Sequence, residues 1–177
     1  MVMKRLFSVF LLGIFLFVAG CGEPAQEKPY ESYHVLIQTY LDAHFGHQMP
    51  SKEAVKDMRH RFMQDDFEAS YQELLEERAI NIQTLKKHFG EDYTFTYELV
   101  SETTDRKAQD RVEQFLRNNG SYEVLSGYGT LKLEVTFRGN GKTYVMQGFL
   151  EVFCSDLTWY LTDTRFEAIS NIDVEFG

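Results

Sequence analysis

Two cysteines, Cys21 and Cys154, are all that the 177 residues contain, so no disulfide framework staples this chain. Positive charge is scarce too: 18 Lys and Arg stand against 27 Asp and Glu, a formal −9. A field of that sign repels phosphate backbones, which argues against nucleic acid as a partner. It equally repels anionic headgroups, so any membrane attachment has to come from something other than charge. Long hydrophobic runs are missing as well. The longest, residues 6–18, is broken only by Ser8 and Gly13, and it falls short of the ~20 residues that a helix needs to cross hydrocarbon. There is no H-E-x-x-H, no internal repeat and no low-complexity segment.

What the chain does contain is ordinary globular composition: 44% hydrophobic, 25% charged and 15% aromatic residues. That suits one domain with appendages. A body of this size buries roughly two-thirds of its unfolded surface, so it needs neither metal nor disulfide to fold. The 15 Phe and 10 Tyr supply most of the large side chains for its core.

The first twenty residues have three parts. Lys4 and Arg5 make a positive start, the apolar run follows, and Val18-Ala19-Gly20 sets small residues before Cys21. This ending resembles the lipobox of bacterial lipoproteins. The resemblance implies cleavage between Gly20 and Cys21 and a diacylglyceryl group on the Cys21 thiol. Residues 1–20 are then a signal peptide, 21–29 a lipidated tether, and 30–177 the folded domain. Loss of Lys4 and Arg5 with the leader leaves 16 basic against 27 acidic side chains, or −11. Each buried methylene contributes ~0.8 kcal/mol, so one acyl chain binds marginally while two or more hold. Pro24 and Pro29 disfavour helix in the tether, and the domain is expected close to the extracytoplasmic face of the cell membrane. With Cys21 acylated, Cys154 has no partner in the chain and is expected in a strand as a small apolar residue.

Periodicity predicts the elements. Leu36, Ile37, Tyr40, Leu41 and Phe45 recur at helical spacing over 33–45. Ser51 is a cap for a second helix over 52–63, and a third runs from 65 or 66 to 88, with Gly90 as its stop. Alternation predicts a strand over 93–102. Residues 105–119 return to helical spacing, and strand follows to the end. Leu131, Leu133, Val135 and Phe137 alternate with polar residues, Gly139-Asn140-Gly141 signals a hairpin, 144–154 is the return strand, and 158–166 the last. Helices first, then strand, helix and a three-stranded meander predict α+β segregation, with helices received by one face of a curved antiparallel sheet.

That order, read with the lipobox, the helix end Leu85-Lys86-Lys87-His88-Phe89-Gly90, helix 105–119 and the closing hairpin 149–163 with Trp159-Tyr160-Leu161, resembles the NTF2-like, cystatin-like cone fold of Gram-positive lipoproteins. In those relatives the closing turn often carries glycine before a Trp-Tyr pair, whereas here it reads Ser155-Asp156-Leu157-Thr158. The fold hosts enzymes, binders and assembly parts alike. Its enzymes work inside the cone with inward Asp, His or Tyr. The inward candidates here, and hence the expected pocket lining, are Phe95, Tyr97, Tyr128, Tyr144, Phe153, Trp159 and Tyr160.

Other chemistry is weaker. His44 and His47 are three apart and His60 follows, a spacing that allows zinc, but His47 falls where the helix ends; helix-end histidines are the better reading. Asp65, Asp66, Glu68, Glu73, Glu76 and Glu77 crowd the third helix opposite its apolar stripe, a solvated face rather than an acid–base pair. Asp156 and Asp163 sit at turn or strand-end positions. Gly127-Tyr128-Gly129 lacks the lysine and helix of a phosphate loop, and Ser70, Ser101 and Ser126 lack a nucleophile elbow. No catalytic, metal or cofactor site is expected. The expectation is a non-enzymatic, lipid-anchored module for a protein or small ligand; the alternatives are an isomerase- or dehydratase-like enzyme and a scaffold of an envelope complex. An enzyme requires a charge-perturbed Asp or His on a cavity, a binder an aromatic groove without such a pair, and a scaffold an exposed apolar patch.

Overall fold

The computed structural model describes residues 30–177, so the leader, Cys21 and the tether lie outside the described residues. Helix α1 spans Tyr33–Phe45 as the spacing predicts, opened by Ser32, whose Oγ accepts the His34 N–H at 3.2 Å. Its stripe of Leu36, Ile37 and Leu41 is wholly buried. Its far end is closed by a side chain from another helix. The Arg78 guanidinium donates to the carbonyls of Asp42 (2.7 Å), Ala43 (3.0 Å) and Gly46 (2.5 Å), setting a cation on the negative end of α1.

Helix α2, Lys52–Asp57, starts from Ser51 but stops well before residue 63. A distant strand captures the chain there: the Met58 carbonyl accepts the Leu161 N–H at 2.7 Å. His60 Nδ1 then takes the Phe62 N–H, and a single 3-10 turn, Arg61–Met63, replaces the rest of the expected helix. Helix α3 runs Phe67–Phe89 and ends at Gly90, whose φ of 89° is open to glycine at little cost. Strand β1 (Thr94–Thr103) leads to α4 (Arg106–Asn118), where Asp105 Oδ1 accepts the N–H groups of Lys107 and Ala108. The meander follows as β2 (Leu125–Gly139), β3 (Lys142–Ser155) and β4 (Thr158–Phe166). A short helix that the sequence reading lacks, α5 (Asn171–Phe176), closes the chain. It buries Ile172 and is held to the end of α3 by Asp173, which receives Lys87 Nζ at 2.6 Å and His88 Nε2 at 2.7 Å.

The sheet is antiparallel throughout, in the order β1-β2-β3-β4. Its main core lies on one face. Leu131, Leu133, Val135 and Phe137 of β2, with Met146, Leu150 and Val152 of β3, meet α1 and α3 in the main core, and each is 0% exposed. Burying such a side chain contributes about 1.5–3 kcal/mol. Cys154 is buried in β3. Irregular registers at Leu125/Gly127 and Glu151/Val152 bend the sheet. At that bent end Tyr128, Phe153 and Tyr160 are partners across three strands and face the other way. Helix α4 covers them through Ala108, Val112 and Leu116, so a second, smaller core sits on the opposite face. The fold is α+β: helices on a curved four-stranded antiparallel sheet that does not close into a barrel.

Candidate functional site

The seven aromatics expected to line one pocket divide between the two cores. Phe95, Tyr97, Tyr144 and Trp159 pack against the main core, while Tyr128, Phe153 and Tyr160 belong to the small one under α4. None of them faces the groove of about 250 Å³ that opens between α1, α2, α3 and β4. That groove is built from other residues.

Tyr40 and His44 stand one turn apart on α1, so both point to the same side. Their rings lie 4.3 Å apart at a tilt of 36°, and Tyr40 stacks on Phe166 of β4 at 5.5 Å. From α3, Tyr71, Glu73, Leu74 and Glu77 form the facing wall, with Phe67 at one end. Glu77 Oε1 lies 3.7 Å from His44 Nδ1. The His44 imidazole beside it chiefly holds the Glu77 carboxyl below its ordinary range; burial opposes this, and Asn81 reinforces it. Burial pushes the Tyr40 hydroxyl far above the usual phenol, the nearby charges of Glu77 and Asp163 add to that, and a hydrogen bond with Thr164 opposes it. Tyr40 is therefore a neutral donor at any physiological pH.

The floor comes from the irregular stretch of β4. Thr162 Oγ1 donates to the Glu151 carbonyl at 3.0 Å. Asp163 then takes the Thr164 N–H on Oδ1 at 2.8 Å and the Arg165 guanidinium on Oδ2 at 3.0 and 3.1 Å. Arg59 borders the groove and donates to Ser70 Oγ at 3.4 Å. Close to this wall a lysine is already held by aromatic faces and carboxylate: Lys52 Nζ sits 5.3 Å from the Tyr71 ring centre, 6.0 Å from that of Phe67 and 2.7 Å from Glu68 Oε2. A second hollow, about 460 Å³ and shallower, lies on the open face of β2–β4 around Phe149, Glu151 and Arg165.

The remaining candidates are placed in structural settings. His47 Nε2 bonds the Tyr93 carbonyl at 2.7 Å. His60 is 1% exposed; because its Nδ1 accepts from Phe62, its Nε2 carries the proton and donates to Glu123 Oε2 at 2.7 Å. Ser155 donates to the same oxygen at 2.9 Å, not to the histidine, so no nucleophile–base contact forms there. Burial raises the Glu123 carboxyl, but the bonds from His60 and Ser155 and the charge of Arg61 together hold it below the ordinary value. Among the described residues no cluster of three or more His, Cys, Asp or Glu is placed to hold a metal ion. None of their helices is long and apolar enough to cross a membrane.

Sequence reasoning placed Tyr40 in the core stripe and Glu73 and Glu77 on a solvated face. The signal that unites them is two pairs at i, i+4, Tyr40/His44 and Glu73/Glu77, whose meeting depends on how α1 crosses α3. The class this defines is an α+β domain with a small, polar, aromatic-walled groove at the open edge of its sheet. No family model, no curated protein and no solved structure matches the chain.

Proposed function

We propose that this chain is a lipoprotein, held at the extracytoplasmic face of the cell membrane through Cys21, whose domain is a non-enzymatic binding module. The groove between α1, α3 and β4 takes a small ligand with a cationic head. Support for the anchor is the agreement of Lys4 and Arg5, the apolar run 6–18 and the box Val18-Ala19-Gly20-Cys21. The order of helices, strand, helix and meander supports kinship with NTF2-like lipoproteins.

One observation carries the ligand class: phenol rings of Tyr40 and Tyr71 and carboxylates of Glu73 and Glu77 border the same ~250 Å³. Rings and carboxylates together favour an ammonium group, and the volume lies below the ~300–1,000 Å³ of drug-sized sites, so the guest is about the size of an amino acid. The test has two arms. Radiolabelled palmitate enters the parent chain and is lost in Cys21→Ala; equal label in both refutes the anchor. The purified chain is then titrated by calorimetry with primary and quaternary ammonium compounds of that size. Binding weakened about tenfold or more by Glu77→Gln is expected, since that is 1.4 kcal/mol for one charge contact. Titration without heat across the set, or binding that Glu77→Gln leaves unchanged, refutes the groove.

The His44–Glu77 pair favours a second reading, in which the imidazole acts as an acid–base group on a bound substrate. Under that reading His44→Gln keeps binding while turnover, followed by mass spectrometry, stops.

A further inference from the structure

The two hairpin tips of the meander share one backbone geometry but not one chemistry. At the β2–β3 tip, Asn140 and Gly141 take φ of 47° and 73°, the residue pair that a turn with two left-handed positions favours. At the β3–β4 tip, Asp156 and Leu157 take φ of 46° and 64°. A leucine in that conformation is strained, and its side chain gains nothing from the fold, being 73% exposed. A strained residue with an unburied apolar side chain marks a place where something other than stability sets the sequence.

Its neighbours share the character. The Asp156 N–H donates to the Val124 carbonyl at 3.3 Å, which ties this tip to the loop between α4 and β2. In that loop Tyr122 is 96% and Val124 71% exposed. The loop is rigidly set, because Glu123 between them is fixed by His60, Arg61 and Ser155. Tyr122, Val124 and Leu157 therefore stand out together at one end of the molecule.

The chain leading to the anchor joins at the same end. Tyr30, the first described residue, is buried at 2%, and its carbonyl accepts the Trp159 N–H at 2.8 Å, two residues from Leu157. Residues 22–29 between Cys21 and Tyr30 reach at most about 30 Å when fully extended.

We propose that Tyr122, Val124 and Leu157 are a membrane-contacting surface: the lipidated domain rests these two loops on its own bilayer, their side chains entering the boundary between headgroups and acyl chains. This rests on acylation of Cys21. Tyrosine suits that boundary, with an apolar ring and a polar tip, and penetration of such tips is shallow, ~5–10 Å. Contact through apolar side chains also fits a domain whose net charge repels anionic lipid. The opposite end, where α5 packs beside the start of β3, then faces away from the membrane.

The experiment uses the full lipidated chain in phosphatidylcholine vesicles with brominated acyl chains, which quench tryptophan on contact. Tyr122→Trp reports from the loop, and Val174→Trp, at a site 86% exposed on α5, reports from the far end. The parent supplies the baseline of its single tryptophan, Trp159. Added fluorescence at 122 is expected to fall about twofold or more at this shallow depth, and that at 174 to stay unchanged. Equal quenching at both sites, or none at 122 while the protein floats with the vesicles, overturns the proposal and leaves the anchor standing. Failure of the parent to float overturns the anchor instead. A blue-shifted, quencher-shielded signal at 122 in vesicle-free dimers assigns the patch to a second copy of the chain and also overturns it.

Discussion

Replacing Glu123 with alanine takes the acceptor from three groups at once, and the structure ranks the losses. Arg61 Nη2 lies 2.8 Å from Glu123 Oε1, but the Arg61 side chain is 64% exposed. Water replaces that contact, so its share is on the order of 0–1 kcal/mol. His60 and Ser155 are different, being 1% and 0% exposed. Each is left with a buried donor unsatisfied, which costs about 1–3 kcal/mol apiece. His60 has no second option, since its Nδ1 already accepts from Phe62. Glu123→Ala should lower the unfolding free energy by about 2–7 kcal/mol, and Glu123→Gln, which keeps one acceptor oxygen, by no more than about half of that. Urea denaturation read by circular dichroism measures both as a fall in midpoint at constant slope. An alanine loss under about 0.5 kcal/mol, the range of an ordinary surface substitution, would refute the reasoning. Acid gives an independent arm. The folded-state value of Glu123 is lower than its ordinary 4.5, so its contribution is full above pH 4.5 and is lost as pH falls through the folded value. Glu123→Gln should flatten that part of the stability profile; identical slopes for parent and variant would count against the assignment.

Three more outcomes follow from packing and backbone. A methyl at Gly148 would lie 2.2 Å from the Phe166 ring, so Gly148→Ala should destabilise by about 1–3 kcal/mol and shift the near-ultraviolet circular dichroism of the stacked Tyr40 and Phe166. Arg78→Ala leaves three carbonyls at the end of α1 without their guanidinium; a loss of about 2 kcal/mol is expected, and Arg78→Lys should not restore it, because one ammonium cannot reach all three. Leu157→Gly converts the strained tip to Asp-Gly and should raise stability by up to about 1 kcal/mol in thermal melts, while weakening contact with brominated vesicles.

How far the residues foretold this molecule varies with how local each decision is. The strand alternation from Leu131 to Phe137, the Asn140-Gly141 turn and the Ser51 cap act within a few residues, and they appear where the pattern puts them. Helix α2 was overrun because Met58 is captured by Leu161, a contact no local spacing records. Which face α4 would take was invisible for a similar reason: Tyr128 and Phe153 turn away from the main core by plain alternation with Leu131 and Val152, but nothing local records that a helix covers that face. Helix α5 did leave one, Ile172 and Phe176 at i, i+4, too short to outweigh the strands before it. The groove was the least legible part. Its His44, Glu77 and Asp163 come from three elements, and each by itself has an ordinary structural explanation.

The extra residue in β4 at Thr162 has an effect beyond bending the strand. Asp163 borders both hollows, with one carboxylate oxygen committed to the Thr164 backbone and the other to Arg165. A positively charged guest beside the helices, as proposed above, would compete with Arg165 for the same carboxylate. Were the proposed ligand to bind there, occupancy on one side of the sheet would be felt on the other through a single shared group, with no strand obliged to move.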